Sequence, residues 1–195
     1  MRGNIKYIII ICSALLIFLL ITCSEGNTPK NQLSSPIDTF ITFIDAHNNC
    51  KEPSAVNKID STLSDDLIFV FNLDDFRNGA NDGYMTPDSW NRDEFFTLTE
   101  LMFNNAYSVS LSISGYENGN YSANHTEYNC ETDFNLLVYD DVSYGYQATG
   151  TVNWRLKLCS DSNWRISQIY DNTSPDTLSL EITNAPWHEI LLLFR

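Results

Sequence analysis

From Tyr107 the chain changes polarity at every residue: Tyr107, Val109, Leu111 and Ile113 are apolar, while Ser108, Ser110, Ser112 and Ser114 are not. A period of two is that of a strand with one buried face, because successive side chains leave a pleated backbone on opposite sides. The alternation returns from Tyr128 to Tyr139, with Cys130, Phe134, Leu136 and Val138 on one side and Glu131 and Asp133 on the other. A turn at Asp140-Asp141 leads into a third strand. There Tyr144, Tyr146, Ala148, Val152, Trp154, Leu156 and Leu158 oppose Gln147, Thr149, Thr151, Asn153, Arg155 and Lys157. Ser160 to Asn163 reads as a tight turn, and Trp164 to Tyr170 as the returning strand. Long consecutive strands of this kind predict an antiparallel sheet with one face on a core and the other in water.

Upstream the period lengthens to that of a helix. Ser35-Pro36 is a helix opening, since Ser accepts bonds from unpaired amides and Pro is preset for the first helical position. Ile37, Phe40, Ile41 and Ile44 then fall at i, i+3, i+4 and i+7, on one face. A second short helix is expected from about Pro53, with Val56, Ile59 and Leu63 inward, and Leu67 to Phe71 reads as a buried strand. Asn72 to Ser89, with Gly79, Gly83 and Pro87, reads as loop. Asn91 and Glu94 have the spacing of a capping box for a third helix, with Trp90 placed to staple against Phe95 and with Phe95, Leu98, Leu101 and Met102 inward.

The first residues have a different character. Arg2 and Lys6 precede a 14-residue run, Ile8 to Ile21, that is apolar except for Ser13, and a polar stretch follows. That order is the order of a secretory signal, and the run is short for a span, which takes about 20 residues. Leu20-Ile21-Thr22-Cys23 resembles the lipobox of bacterial lipoproteins, with Thr22 where Gly, Ala or Ser is usual. The resemblance implies cleavage after residue 22 and acylation of Cys23. The expected organisation is therefore a signal peptide over 1–22, a polar tether over 23–34 and one folded domain over 35–195. The protein would sit in the cell envelope, lipid-anchored to a membrane and facing the periplasm or the exterior.

Composition narrows the partners. The 195 residues carry 25 Asp and Glu against 11 Lys and Arg, a net charge of -14, so nucleic acid is excluded as a partner by repulsion from its phosphates. With 43% hydrophobic and 13% aromatic residues the chain has enough apolar surface for a packed interior.

Helix, helix, strand, helix and then long antiparallel strands is the element order of the nuclear transport factor 2-like superfamily, which includes SnoaL-like cyclases and ketosteroid isomerases. Leu63-Ser64-Asp65-Asp66-Leu67-Ile68-Phe69, Trp90-Asn91-Arg92-Asp93-Glu94 and Trp164-Arg165-Ile166 with Asp171 resemble that superfamily's lipobox-bearing bacterial members. In those members a Trp with a short apolar tail often ends the chain, as Trp187 to Phe194 does here. The resemblance implies an α+β, cone-shaped fold with three N-terminal helices packed on a curved antiparallel sheet. It also implies a homodimer formed through the outer sheet face.

Function is less legible, because fold alone does not specify it. Ketosteroid isomerase-like members use a buried Asp base with a Tyr and a second acid. No such trio can be placed here, since the inward strand positions are apolar. Asp66 and Asp171 are the candidate cavity acids by their position in the pattern, although a strand-end or turn-capping carboxylate is the more ordinary reading of each. Phe71, Tyr84, Trp90, Tyr146 and Trp154 are the candidate lining of an apolar cavity for a small hydrophobic ligand, and core packing would place aromatics at the same positions. His47, His125 and His188 lack ligand spacing, the acidic loop from Asp74 to Gly83 fails the EF-hand pattern, and no cofactor motif is present, so neither a metal nor a cofactor is expected. Once Cys12 leaves with the leader and Cys23 is acylated, Cys50, Cys130 and Cys159 permit one disulfide and one thiol.

The reading these features favour is a non-enzymatic lipoprotein acting as a ligand-binding or protein-interaction module. Its alternative is a SnoaL-like or ketosteroid isomerase-like enzyme acting on a small hydrophobic substrate.

Overall fold

A computed structural model describes residues 32–70, 89–141, 144–173, 182–185 and 187–194. Helix α1, Pro36–Asn48, opens as its sequence dictates, with Ser35 Oγ accepting the Asp38 N–H at 3.1 Å. Its buried stripe is Thr39, Phe40, Phe43, Ala46 and His47. The predicted stripe is turned: Ile41 is 52% exposed and Ile37 and Ile44 only half-buried. Two apolar stripes compete on this helix, and the one with Phe43 wins because Phe43 meets aromatic partners across the core. Helix α2, Ala55–Thr62, buries Ala55, Ile59 and Thr62 and runs directly into strand β1, Leu63–Val70, so Leu63 is strand and not helix.

Strand β2, Ser89–Asn91, pairs with β1 and leads into α3, Arg92–Asn105. The capping box is complete: Glu94 N–H donates to Asn91 Oδ1 at 3.0 Å, and Asn91 N–H donates to Glu94 Oε2 at 2.8 Å. Trp90 and Phe95 both stack on Phe69, with centroids 5.8 and 5.1 Å from its ring. The expected staple is thus built through a third ring.

The remaining strands are β3 (Ser108–Ser114), β4 (Asn120–Tyr121), β5 (Glu127–Tyr139), β6 (Gly145–Leu158), β7 (Trp164–Thr173) and β8 (Ile182–Asn184). They complete a sheet of order β2-β1-β7-β6-β5-β3, with β4 on β5 and β8 on β6. The expectation of a purely antiparallel sheet needs correction, because β1 runs parallel to β7 and β8 parallel to β6. Tyr107 and Tyr144 lie outside the strands, 60% and 65% exposed, and Leu158 is 39% exposed at the end of β6.

Strict alternation along β5 buries Tyr128, Cys130, Thr132, Phe134, Leu136 and Val138 on the concave face. On β7 the buried phase shifts between Ile166 and Ile169, beside the register break at Arg155/Leu156 of β6. Such bulges bend a sheet. α1, α2 and α3 cover the concave side of the resulting cone. Among the described residues a further helix follows, α4, Trp187–Leu193, where only an apolar tail was expected. Among the described residues no helix is long and apolar enough to cross a membrane.

Candidate functional site: the interior of the cone

Asp171 lies opposite Val152 in the β6–β7 register, which turns its side chain onto the concave face, where it is 2% exposed. Its Oδ1 accepts two bonds from Thr173, the N–H at 2.9 Å and the hydroxyl at 2.5 Å. The Thr173 hydroxyl oxygen in turn stands 3.4 Å from the N–H of Trp187, where α4 begins. The next residue, His188, is also 2% exposed, and its Nδ1 lies 4.0 Å from Asp171 Oδ2. The Trp90 ring is edge-on to His188 at 6.4 Å. Strand β7 and helix α4 thereby bring an acid and a histidine together in the core.

Beside this pair the Trp187 ring, fully buried, fills the middle of the cone. It stacks on Phe134 at 5.2 Å and meets Phe69 at 5.8 Å, Trp154 at 6.2 Å, Phe43 and His47 at 6.4 Å and Phe95 at 6.5 Å. Aromatic pairs at such separations contribute about 0.5–1.5 kcal/mol beyond area burial, so the cluster is a large share of the core's cohesion. Trp154 is held from the other side by its own N–H, which donates to Thr132 Oγ1 at 2.8 Å.

His47 is fully buried between Phe43 and Phe103, with ring centroids 4.5 and 5.1 Å away. Its Nδ1 is 2.9 Å from the Phe43 carbonyl, and burial pushes its pKa down to about 4, so the ring is neutral. Among the described residues, the interior polar atoms without a hydrogen-bond partner include His47 Nε2, Asp171 Oδ2 and Trp187 Nε1. An unpaired buried polar group costs about 1–3 kcal/mol.

The residues singled out in the sequence divide. Asp171, Trp90 and Trp154 sit in the buried interior, the two tryptophans as packed core rings. Tyr146 is half-buried and meets Phe194 edge-on at 6.4 Å. Asp66 does not belong to the cavity: it is on the outside of β1, paired with Lys157 Nζ at 2.5 Å, and that ammonium, then the Ser64 hydroxyl, hold its carboxyl below the usual range. Phe71, Tyr84, Cys23 and the acidic loop from Asp74 to Gly83 lie outside the described residues.

Asp171 was expected as a cavity acid, and the two buried histidines, His47 and His188, were not expected in the interior. His47 could have been found from its spacing, since it follows Phe40 and Phe43 at i+7 and i+4 on one helical face. His188 could not, because only tertiary packing brings α4 back to β7. Cys50, Cys130 and Cys159 are all free thiols.

No family model and no curated protein matches the chain. Solved structures do. A conserved protein from Planctomyces limnophilus superposes with a TM-score of 0.53 at 12% identity, covering 70% of this chain and 91% of its own. A candidate scytalone dehydratase from Novosphingobium aromaticivorans superposes at 0.50 with 11% identity, covering 74% and 87%. A nuclear transport factor 2-like superfamily protein from Salmonella enterica gives 0.48 at 11% identity, covering 76% and 94%. The fold is the nuclear transport factor 2-like fold: a bent, mostly antiparallel sheet wrapped around helices in that element order.

Proposed function

We propose that the chain is a lipid-anchored protein of the cell envelope whose cone serves as a non-enzymatic ligand-binding or interaction module. The observation that carries this reading is Trp187. Its ring occupies the centre of the concave space, where a substrate of a cone-shaped enzyme would need to lie, and six aromatic rings pack around it. Anchoring rests on the leader and Cys23: an acylated Cys, with each buried methylene worth about 0.8 kcal/mol, holds a protein stably at a bilayer surface. Replacing Cys23→Ala should release the protein from membranes. Unchanged membrane partition, with no acyl mass on the Cys23 peptide, would defeat the anchor.

A second reading, a SnoaL-like or ketosteroid isomerase-like enzyme for a small hydrophobic substrate, draws on the buried Asp171 beside His188. It requires ketosteroids or related carbonyl substrates to turn over, with the rate lost in Asp171→Asn. A homodimer across the outer sheet face is compatible with either reading, and a single monomeric species in sedimentation at high concentration would remove it.

A further inference from the structure

Asn118 and Gly119 are neighbours in the loop that joins β3 to β4, and they are held in different ways. Asn118 closes the short helical turn Tyr116–Asn118, where its N–H donates to the Gly115 carbonyl at 3.0 Å. Its side chain is exposed, and the carboxamide takes part in no hydrogen bond among the described residues. Gly119 is required for space, because a Cβ there would enter the ring of Tyr128. The fold thus sets a glycine after an exposed asparagine, and with it a peptide nitrogen that no side chain shields.

In an Asn-Gly pair that nitrogen can close a five-membered ring on the asparagine side chain, since nothing on the glycine α-carbon hinders the approach. Here it is restrained. The Gly119 N–H donates to the Tyr128 hydroxyl oxygen at 2.8 Å, and the same hydroxyl donates to the Tyr116 carbonyl at 2.6 Å, so one phenol clasps both ends of the turn. Tyr128 is itself fixed in β5, where it is 2% exposed and meets Tyr121 edge-on at 4.9 Å. Ring closure needs the Asn118–Gly119 peptide to rotate out of its helical setting, and that rotation breaks the Gly119–Tyr128 bond.

We propose that Asn118 is a site of spontaneous conversion to aspartate and isoaspartate, gated by the Tyr128 hydroxyl. When the clasp opens, the Gly119 nitrogen forms a bond to Asn118 Cγ, and the side-chain nitrogen leaves as ammonia, taking by way of water the proton that Gly119 gives up. Water then adds to one carbonyl of the cyclic imide and breaks its C–N bond, which leaves aspartate or isoaspartate at 118. The net reaction consumes a water and releases an ammonia. Isoaspartate adds a methylene to the backbone, so the Gly119 N–H cannot return to Tyr128 while the N–H of residue 118 stays on Gly115. The new carboxylate also adds charge beside Glu117. The change is one-way, and it loosens Tyr116, whose ring stacks on Phe40 of α1 at 5.2 Å. Neither the anchor nor the contents of the cone enters into this chemistry.

The test incubates the full chain at neutral pH and follows the peptide carrying residue 118 by mass and by its isoaspartate content. Conversion in the folded chain should run at least about tenfold slower than in the chain unfolded in urea, as expected of a bond that reacts only from a local opening. Tyr128→Phe should speed conversion in the folded chain by about three- to tenfold, the shift in open population that loss of the hydroxyl's hydrogen bonds gives. Asn91→Ala removes the cap of α3 beside β2, at the opposite edge of the sheet, and should leave the rate within about twofold although it also destabilises the fold. Converted protein carries one more negative charge, so ion exchange separates it, and it should unfold at lower urea than fresh protein. Equal rates in the folded and unfolded chains overturn the gate, as does a Tyr128→Phe protein that converts no faster or one matched by Asn91→Ala. Aspartate formed without isoaspartate overturns the imide route, and converted protein as stable as fresh overturns the loosening of the clasp.

Discussion

Asn48, the last residue of α1, satisfies both backbone groups of Leu111 on the edge strand β3: its Nδ2 donates to the Leu111 carbonyl at 3.0 Å, and its Oδ1 accepts the Leu111 N–H at 2.6 Å. One side-chain amide thus supplies what a neighbouring strand would. An edge with open ladder groups is a template for another chain, and covering it is how folded proteins avoid edge-to-edge association. The same pair pins the end of α1 to the sheet, and so helps set where Phe43 and His47 enter the core.

Asn48→Ala should therefore cost about 1–2 kcal/mol, the net worth of two partly solvated hydrogen bonds, and should raise self-association. Asn48→Asp should cost at least as much, because it removes the donor and sets a negative charge beside a carbonyl. Urea denaturation and light scattering check both. An Ala variant as stable and as monodisperse as the unaltered chain would mean that water replaces the amide without penalty.

His47 predicts an acid-sensitive core. Its pKa falls from 6.5 to about 4 because burial disfavours the imidazolium. The unfolded chain therefore binds a proton before the folded one does, and stability is lost as pH drops from about 6.5 toward 4, flattening below that. The loss should total about 3 kcal/mol, since each pH unit that separates the folded and unfolded values contributes about 1.4 kcal/mol. Carboxylates such as Asp38, Asp45 and Asp66, whose pKa values lie below 3.8, lose their contribution at lower pH and leave this window largely to His47. His47→Leu removes both the titration and the unpaired Nε2, so the variant's stability should be nearly flat between pH 6.5 and about 4 where the unaltered chain's slopes. Equal slopes would place the acid sensitivity elsewhere.

The three thiols should separate by reactivity. Burial pushes the Cys130 thiol up to about 12, and Cys50 is buried as well, whereas Cys159 is half-exposed beside the Arg165 guanidinium. Thiolate fraction and access govern alkylation. Iodoacetamide on the folded protein should label Cys159 first and reach Cys50 and Cys130 only after unfolding. Peptide mass mapping reads this directly, and early labelling of Cys130 would contradict its place on the concave face.

The sheet was legible because a half-wet sheet writes its alternation into strands such as β3 and β5. Val109, Leu111 and Ile113 and the six buried positions of β5 follow that pattern without exception. The capping box of α3 was legible for a similar reason, since both partners lie within one turn. Where the sequence misled, the deciding partner was distant. The α1 stripe with Ile41 is the more apolar of the two, and only the rings that meet Phe43 and His47, Trp154 of β6, Trp187 of α4 and Phe103 of α3, turn the helix the other way. The parallel pairings of β1 with β7 and β8 with β6 join segments remote in the chain, so no local pattern announces them. For the same reason Asp171 could be named as a candidate while its partner His188 could not. Asp66 failed because its inward reading took no account of Lys157, which approaches from the far side of the sheet.

Gly119 gives a prediction that depends on space alone. Its backbone is extended, at φ -74°, and any residue could adopt it, but a Cβ there would land within the ring of Tyr128. That ring is not free to move. Its hydroxyl oxygen accepts the Gly119 N–H at 2.8 Å and donates its proton to the Tyr116 carbonyl at 2.6 Å, while Tyr121 packs against its face edge-on at 4.9 Å. Gly119→Ala should thus displace Tyr128 and break both bonds, costing about 2–3 kcal/mol, whereas Tyr128→Phe, which loses only the hydroxyl, should cost about 1–2 kcal/mol. Combining Gly119→Ala with Tyr128→Leu makes room for the methyl group. The double variant should then be less destabilised than the sum of its singles by about 1 kcal/mol or more, the signature of two side chains competing for one space. Additive losses in a thermal-denaturation cycle would show that the loop from Tyr116 to Tyr121 shifts to absorb the methyl and that the tyrosine does not fix it.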